Sequence, residues 1–420
     1  MLNLYKKNSI FKNHIFLLII LSLKLHSQEI NNQYSLELNP DLSNQWWSQY
    51  NHYGQEQSEA YFHYNTSYKY KNVNLNVNIF ASKDAIYIGE SFVQSKLFNN
   101  TYLKAGKYYK DFSSYLNESL SSGSLLVSNN AEPMPKIGLI SSYKFKKHKY
   151  VDFNFGISHG FFDKSKIYKT APMLHEKFIY LNYSKNQNDF GVGIVHEAIW
   201  AGSTEDYGDF PSSFKDFLKI FISADGPLLD GDSHANALGN HLGIWDFYYK
   251  KTIRNKDITL YYQHFFEDTS GLRFDNQSDG LWGIELSNFV QNTHILFEYL
   301  NTTNQGRNPP YVDENYYNHG QYGEGWSYKG YVLGNPFINA GNADDDFDVN
   351  PSKVFHLGVK NNQLNKYSYK VLLSRKIDIS DTMKYYLSIG KIVNEFLIGI
   401  IVTGEESRGN NIGIKLSYDL

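Results

Sequence analysis

The 420 residues contain no cysteine. That excludes a disulfide framework, and equally an anchor attached through a lipidated N-terminal cysteine. Beyond the N-terminal region there is no long apolar run. The longest, "FLIGIIV" from Phe396 to Val402, falls well short of the roughly 20 residues that a transmembrane helix needs. A basic surplus is also missing. The net charge is -3, and a partner made of phosphates demands clear positive charge, so nucleic acid is excluded. Proline is scarce, at 10 residues, and no stretch rich in proline, glycine or serine divides the chain into domains.

What the chain has in excess is aromatic. Tyrosine and phenylalanine number 35 and 28, and aromatics make up 16% of residues, well above ordinary soluble usage. These residues favour strands and collect at membrane–water interfaces. The N-terminus reads as a secretory signal peptide. Lys6, Lys7 and Lys12 precede the apolar "IFLLIILSLKL" at Ile15 to Leu25, and a polar exit follows. A basic head, a short apolar core and a polar exit form that signal. Cleavage near Ser27 or Gln28 assigns residues 1–28 to the signal and leaves a mature chain of roughly 390 residues.

The mature chain alternates with period two. In "VDFNFGISHGFF", Val151, Phe153, Phe155 and Ile157 share one face, and Asp152, Asn154, Gly156 and Ser158 share the other. The final "NNIGIKLSYDL" sets Ile412, Ile414, Leu416 and Tyr418 against Asn411, Gly413, Lys415 and Ser417. Alternation of this kind marks strands whose two faces meet different surroundings. Similar segments recur from Ala60–Lys71 onward, among them Tyr102–Tyr109, Ile137–Phe145, Leu218–Ala224 and Lys384–Ile392. A soluble sandwich would alternate too, but this chain is too long for one sandwich and is densely aromatic. A bilayer tolerates no unpaired backbone, so a spanning sheet must close on itself. The expected fold is therefore all-β: a large antiparallel transmembrane barrel of about 16–20 strands, with a best single count of about 18. Residues 58–420 form it, and residues 29–57, which include Trp46 and Trp47, are either a periplasmic extension or a first strand. Two regions break the alternation and read as long external or lumen-folded loops, Gly202 to Gly239 and Asn301 to Ser352.

Candidate site residues lie in and around those loops. In "HANALGNHLGIWDFYYKK", alternation puts Trp245, Phe247 and Tyr249 toward lipid or its interface, and Asp246, Tyr248 and Lys250 toward the lumen. Asn236, Asn240 and His241 then sit at the mouth of the strand, where they either order a turn or bond sugar hydroxyls. In the second loop, Tyr316, Tyr317, Tyr322, Trp326 and Tyr328 are interleaved with Asn318, His319, Gln321 and Glu324. Sugars have apolar C–H faces and hydroxyl rims, which aromatic platforms beside amides and carboxylates match. Alternatively, these rings pack the loop into the lumen. Arg307 suits an acidic glycan, since a guanidinium forks onto carboxylates. Asp344, Asp346 and Asp348 recur at every second position as calcium donors do, but the glycine and distant glutamate of an EF-hand are absent. His196–Glu197 lacks the second histidine of a zinc-protease helix, and nothing in the spacing ties Ser212 to His196 as a hydrolase pair. No catalytic residue and no cofactor is expected.

Three segments carry a family likeness. "HEAIWAGSTEDYGDFPSSFKDFLKIF", "DSHANALGNHLGIWDFYYKK" and "GYVLGNPF" resemble the Wzi capsule-assembly family, in particular its Bacteroidetes-type members. The resemblance implies an outer-membrane barrel of a Gram-negative bacterium with an occluded lumen. It implies a surface lectin without a catalytic cycle, which binds capsular or exopolysaccharide and supports capsule assembly. Its surroundings would be outer-membrane lipid and other components of capsule export. The alternatives are a general porin or solute channel and, from another class, an outer-membrane hydrolase.

Overall fold

The computed structural model describes residues 29–39, 53–56, 58–227, 237–267, 272–304, 316–339, 351–364, 366–377, 382–406 and 409–419. The first part of the wall consists of β1 (Glu29–Leu38), β2 (Ala60–Tyr70), β3 (Val73–Ser82), β5 (Ser91–Phe98), β6 (Thr101–Lys107), β7 (Pro135–Lys144) and β8 (Val151–Phe161), with the short β4 (Ile86–Ile88) against β3. Next come β10 (Met173–Lys185), β11 (Asn188–Trp200), β14 (Asn240–Ile253), β15 (Lys256–Phe266), β16 (Gly280–Ser287) and β17 (Thr293–Asn301). The wall ends with β20 (Lys353–Leu364), β21 (Tyr367–Ile377), β22 (Thr382–Val393), β23 (Phe396–Glu405) and β24 (Gly409–Asp419). The loops carry β9 (Tyr168–Thr170), β12 (Ser203–Thr204), β13 (Gly208–Asp209), β18 (Ser327–Tyr328), β19 (Tyr331–Val332) and the helix α1 (Phe214–Ile222).

The wall strands pair antiparallel in chain order, and β1 pairs with β24 to close an 18-stranded barrel. At the seam Tyr34 stands opposite Tyr418, and Lys415 Nζ meets Glu37 Oε1 at 2.7 Å. Closure leaves no free edge, as a bilayer requires. Glu29–Leu38 is therefore a wall strand, while Trp46 and Trp47 lie outside the described residues.

The two ends of the barrel differ. At one, tight turns join the strands. Asn186 with Gln187, and Asn394 with Glu395, all have positive φ, as two-residue primed turns require to match the twist of the strands. At the other end lie the long connections. Outer-membrane barrels keep short turns on the periplasmic side, so the long-loop end faces outward.

Alternation sorts the two faces as the sequence suggested. On β10, Ile179, Leu181 and Tyr183 are exposed on the outer wall, whereas Glu176, Phe178, Tyr180 and Asn182 are buried inside. One strand reading is overturned. The segment Leu218–Ala224 belongs mostly to α1, because Phe214, Phe217, Leu218 and Phe221 follow helical spacing. Ser213 and Asp216 close a capping box at its start, with Ser213 Oγ accepting from the Asp216 amide.

Candidate functional site

The lumen is filled by chain. Residues 108–134, between β6 and β7, fold inward and are mostly buried. The barrel's inner wall is polar, and polar groups removed from water need partners. The insert supplies them. Asp246 accepts from Ser113 Oγ at 2.5 Å and from the hydroxyls of Tyr115 and Tyr180. Gln263 Oε1 accepts from the Leu125 amide at 3.0 Å. Glu298 accepts from the Ser122 amide at 2.6 Å, from Ser121 Oγ at 2.7 Å and from the Tyr261 hydroxyl. Glu285 takes Asn117 Nδ2 at 2.8 Å, and His356 Nε2 donates to the Leu120 carbonyl at 2.6 Å. At Gly358 the wall comes so near that an added Cβ would lie 2.7 Å from that carbonyl. Lys136, at 2% side-chain exposure, reaches Glu176 at 2.9 Å and also donates to the Tyr109 carbonyl. Replacing Asp246 with Ala should cost about 1–3 kcal/mol, because three buried hydroxyls lose their acceptor. Denaturant unfolding in detergent would measure it.

A second inserted segment, residues 316–339, lies on the first. Tyr316 stacks on Phe265 with ring centres 4.2 Å apart, and its hydroxyl donates to Asp279 at 2.7 Å. Tyr317 donates to the Leu125 carbonyl at 2.6 Å and accepts from the Asn335 amide at 2.7 Å. Trp326 Nε1 donates to the Leu126 carbonyl at 2.9 Å. All three side chains are buried with their polar atoms engaged. The structure thus places Tyr316, Tyr317 and Trp326 within the plug, joining its two layers, and not on an exposed platform. Asp246 likewise faces the lumen, but as an anchor for the insert. Asn240 and His241 are buried at the start of β14. His241 faces the outer wall, where its ring meets Leu238 O at 2.8 Å and His196 at 2.9 Å. Ser223, not Ser212, lies beside His196, at 3.1 Å. Asn236, Arg307, Asp344, Asp346 and Asp348 lie outside the described residues.

The upper layer carries a pH dependence. His319 Nδ1 accepts from the amides of Gln321 and Tyr322 at 3.2 and 3.3 Å, which requires a bare nitrogen. Burial, followed by the nearby His241, pushes this imidazole down to about 4. The neutral ring is the folded form, so its stabilising effect is complete above the unfolded value of about 6.5. It is lost as pH falls through about 4. The protection of amides in residues 316–339 against hydrogen exchange, taken relative to their intrinsic rates at each pH, should therefore fall between these values, and a His319→Gln variant should lose that dependence.

The plug leaves one side of the lumen open. Between the insert and the wall from β21 through β24 to β3 lies a cavity of about 320 Å³. That is within the range of small-molecule sites. Tyr53, Tyr61, Phe80 and Tyr386 supply aromatic faces, while Gln55, His63, Asn78 and Asn129 supply amide and imidazole groups. Its acids are paired: Glu37 with Lys415, and Glu118 with Lys110 at 2.5 Å. Lys370 is not. It stands opposite Lys360 across β20 and β21, makes no ion pair among the described residues, and holds its ammonium 5.4 Å from the Tyr386 ring. Aromatic faces, amides and a lysine without an acidic partner among the described residues together can receive a polar ring that bears an anion. Sequence reasoning missed this cavity and the insert at 108–134. The signal available for the insert was a serine-rich run without alternation between two good strands.

Comparison with known proteins agrees with this architecture. The sequence model of the family described as capsule assembly protein Wzi matches residues 29–365. No curated protein matches. Among solved structures, the chain is similar to Wzi of Escherichia coli, described as an outer membrane protein involved in group 1 capsule assembly and a carbohydrate-binding β-barrel. The TM-score is 0.62 at 14% identity, over 94% of this chain and 85% of that one. Lower similarity is found to the Pseudomonas aeruginosa protein OccK3, at TM-score 0.44 and 11% identity over 95% and 97% of the two chains. Salmonella typhi OmpF follows at 0.42 and 6%, over 93% and 97%.

Proposed function

The chain belongs to the Wzi capsule-assembly family and is an outer-membrane barrel, and from that premise we propose that it holds polysaccharide at the cell surface and supports capsule assembly there. The observation that carries this reading is the combination of a lumen plugged by inserted chain and an aromatic, amide-lined cavity beside the plug. A general porin needs a continuous aqueous path, and the inserted segments occupy it. An enzyme needs a nucleophile or base presented to substrate. The lumen acids Asp246, Glu285 and Glu298 accept from plug hydroxyls and amides, which supports a protein that acts by binding and not by turnover. The glycan would lie with sugar faces on Tyr53, Tyr61 or Tyr386. An acidic residue of the glycan would sit toward Lys370, and further contacts to capsule-export components would form through the external loops.

The test is made on cells. A strain lacking the gene should shed its surface polysaccharide into the medium while total polysaccharide synthesis stays constant. Unchanged retention on the cell would sink the proposal. In planar bilayers the purified protein should give no porin-like steps, and steady large openings would favour the channel reading instead.

A further inference from the structure

Helix α1 lies on the outside of the barrel. On β10 and β11, His175, His196, Ala198 and Trp200 share the outward parity of the exposed Ile179 and the half-buried Ile194. The helix rests on that wall near its outer end. Ile220 is buried against Ala198, Trp200 and Leu238, and the Phe217 ring lies 5.3 Å from the rings of His159 and His175. Lys177, also on the outer wall, donates to the Phe221 carbonyl at the end of the helix.

Packing on the wall uses only part of the apolar surface of α1. Phe214, Leu218 and Ile222, spaced i, i+4 and i+8, form a second stripe that faces away, at 75%, 49% and 71% exposure. Lys215 and Lys219 run along the neighbouring stripe, and Lys219 Nζ meets the Asp225 carbonyl at 3.0 Å, which leaves further donors free. Large apolar side chains left exposed in a row call for an apolar surrounding. Just below the helix, the wall supplies it. An outward groove lined by Leu139, Phe155, Ile157, Ile179 and Ile194 is capped by Lys177 and Phe221, and it is continuous with the lipid-facing belt.

We propose that α1 is an interfacial helix seated in the outer leaflet. Phe214, Leu218 and Ile222 lie among acyl chains, and Lys215 and Lys219 lie at the level of phosphates on the lipid headgroups. An apolar face with basic residues along its edge is the pattern of helices that lie in a membrane surface. The occupant is thus a phosphate-bearing lipid of the outer leaflet, and the helix marks how deeply the barrel sits.

Spin labelling tests this cleanly, because the chain has no cysteine of its own. Leu218→Cys, Ile222→Cys and Lys215→Cys variants would be labelled and reconstituted in vesicles containing lipid A. Labels at 218 and 222 should collide more with oxygen than with a water-soluble nickel chelate, and the label at 215 should show the reverse. Higher nickel access at 218 and 222 would overturn the placement in lipid. For the phosphate contact, vesicles with bisphosphorylated lipid A are compared with vesicles of its dephosphorylated form. The phosphates should immobilise the label at 222, and the added change Lys215→Glu/Lys219→Glu should abolish that difference. Equal mobility in both vesicle types for the unmodified lysines would overturn the headgroup contact. These positions are exposed, and heat-shifted gel mobility verifies that each barrel is folded.

Discussion

Excising residues 110–133 and joining the flanking residues through a short glycine–serine turn is expected to turn the plugged barrel into a conducting pore. The insert fills the lumen by bonding to wall groups, with Asp246, Gln263, Glu285 and Glu298 each engaged by it. Without the insert, water reaches those groups, as it does in the polar lumen of a porin. The wall pairing between neighbouring strands does not run through the insert, so the barrel itself should still assemble. Planar-bilayer recordings should go from no resolvable openings to porin-sized steps. A silent variant that nonetheless shows the gel mobility of a folded barrel would mean that residues 316–339 seal the lumen alone.

Replacing Lys136 by Met should produce the largest loss of stability from a single change. Lys136 and Glu176 are each at 2% side-chain exposure, 2.9 Å apart, and the fully buried Glu197 stands directly opposite Glu176 across β10 and β11. Removing the paired cation strands the buried Glu176 carboxylate beside a second buried carboxyl group. Breaking a buried pair in this way costs about 3–5 kcal/mol. The double variant Lys136→Met/Glu176→Leu should recover much of that, because it removes the stranded charge along with its partner. Urea unfolding in detergent reads both effects. A single-variant cost below about 1 kcal/mol would show that water reaches this part of the wall.

Much of the wall was legible in the sequence, because period two is imposed by lipid outside and polar lumen inside. The segment Val151–Phe161 shows this: Phe155 and Ile157 are exposed on the outer wall, and Gly156 and Ser158 turn inward. The helix was misread for a specific reason. Leu218, Ile220 and Ile222 happen to alternate, while Phe214, Leu218 and Ile222 form an i, i+4 row in a helix opened by Ser213 and Asp216. The cap and the helical spacing of Phe214, Phe217 and Phe221 separate the two readings. The plug was harder still. Its partners are remote in sequence, Ser113 meeting Asp246 and Ser121 meeting Glu298, and no local pattern announces such pairs. The aromatic run from Tyr316 to Tyr328 illustrates the same limit. A ring that stacks on Phe265 and a ring that would stack on a sugar are spelled alike, and only the fold shows that Tyr316 does the first.

Titration of the purified protein with polysaccharide isolated from its own cell surface tests the central claim most directly. Isothermal calorimetry in detergent should show saturable binding. Tyr386→Ala and Lys370→Gln should each weaken it by about tenfold or more, equivalent to roughly 1.4 kcal/mol, while leaving the barrel folded by gel mobility. Absence of binding by the folded, unmodified protein would contradict the account. Binding that neither substitution disturbs would move the glycan away from the cavity beside the plug.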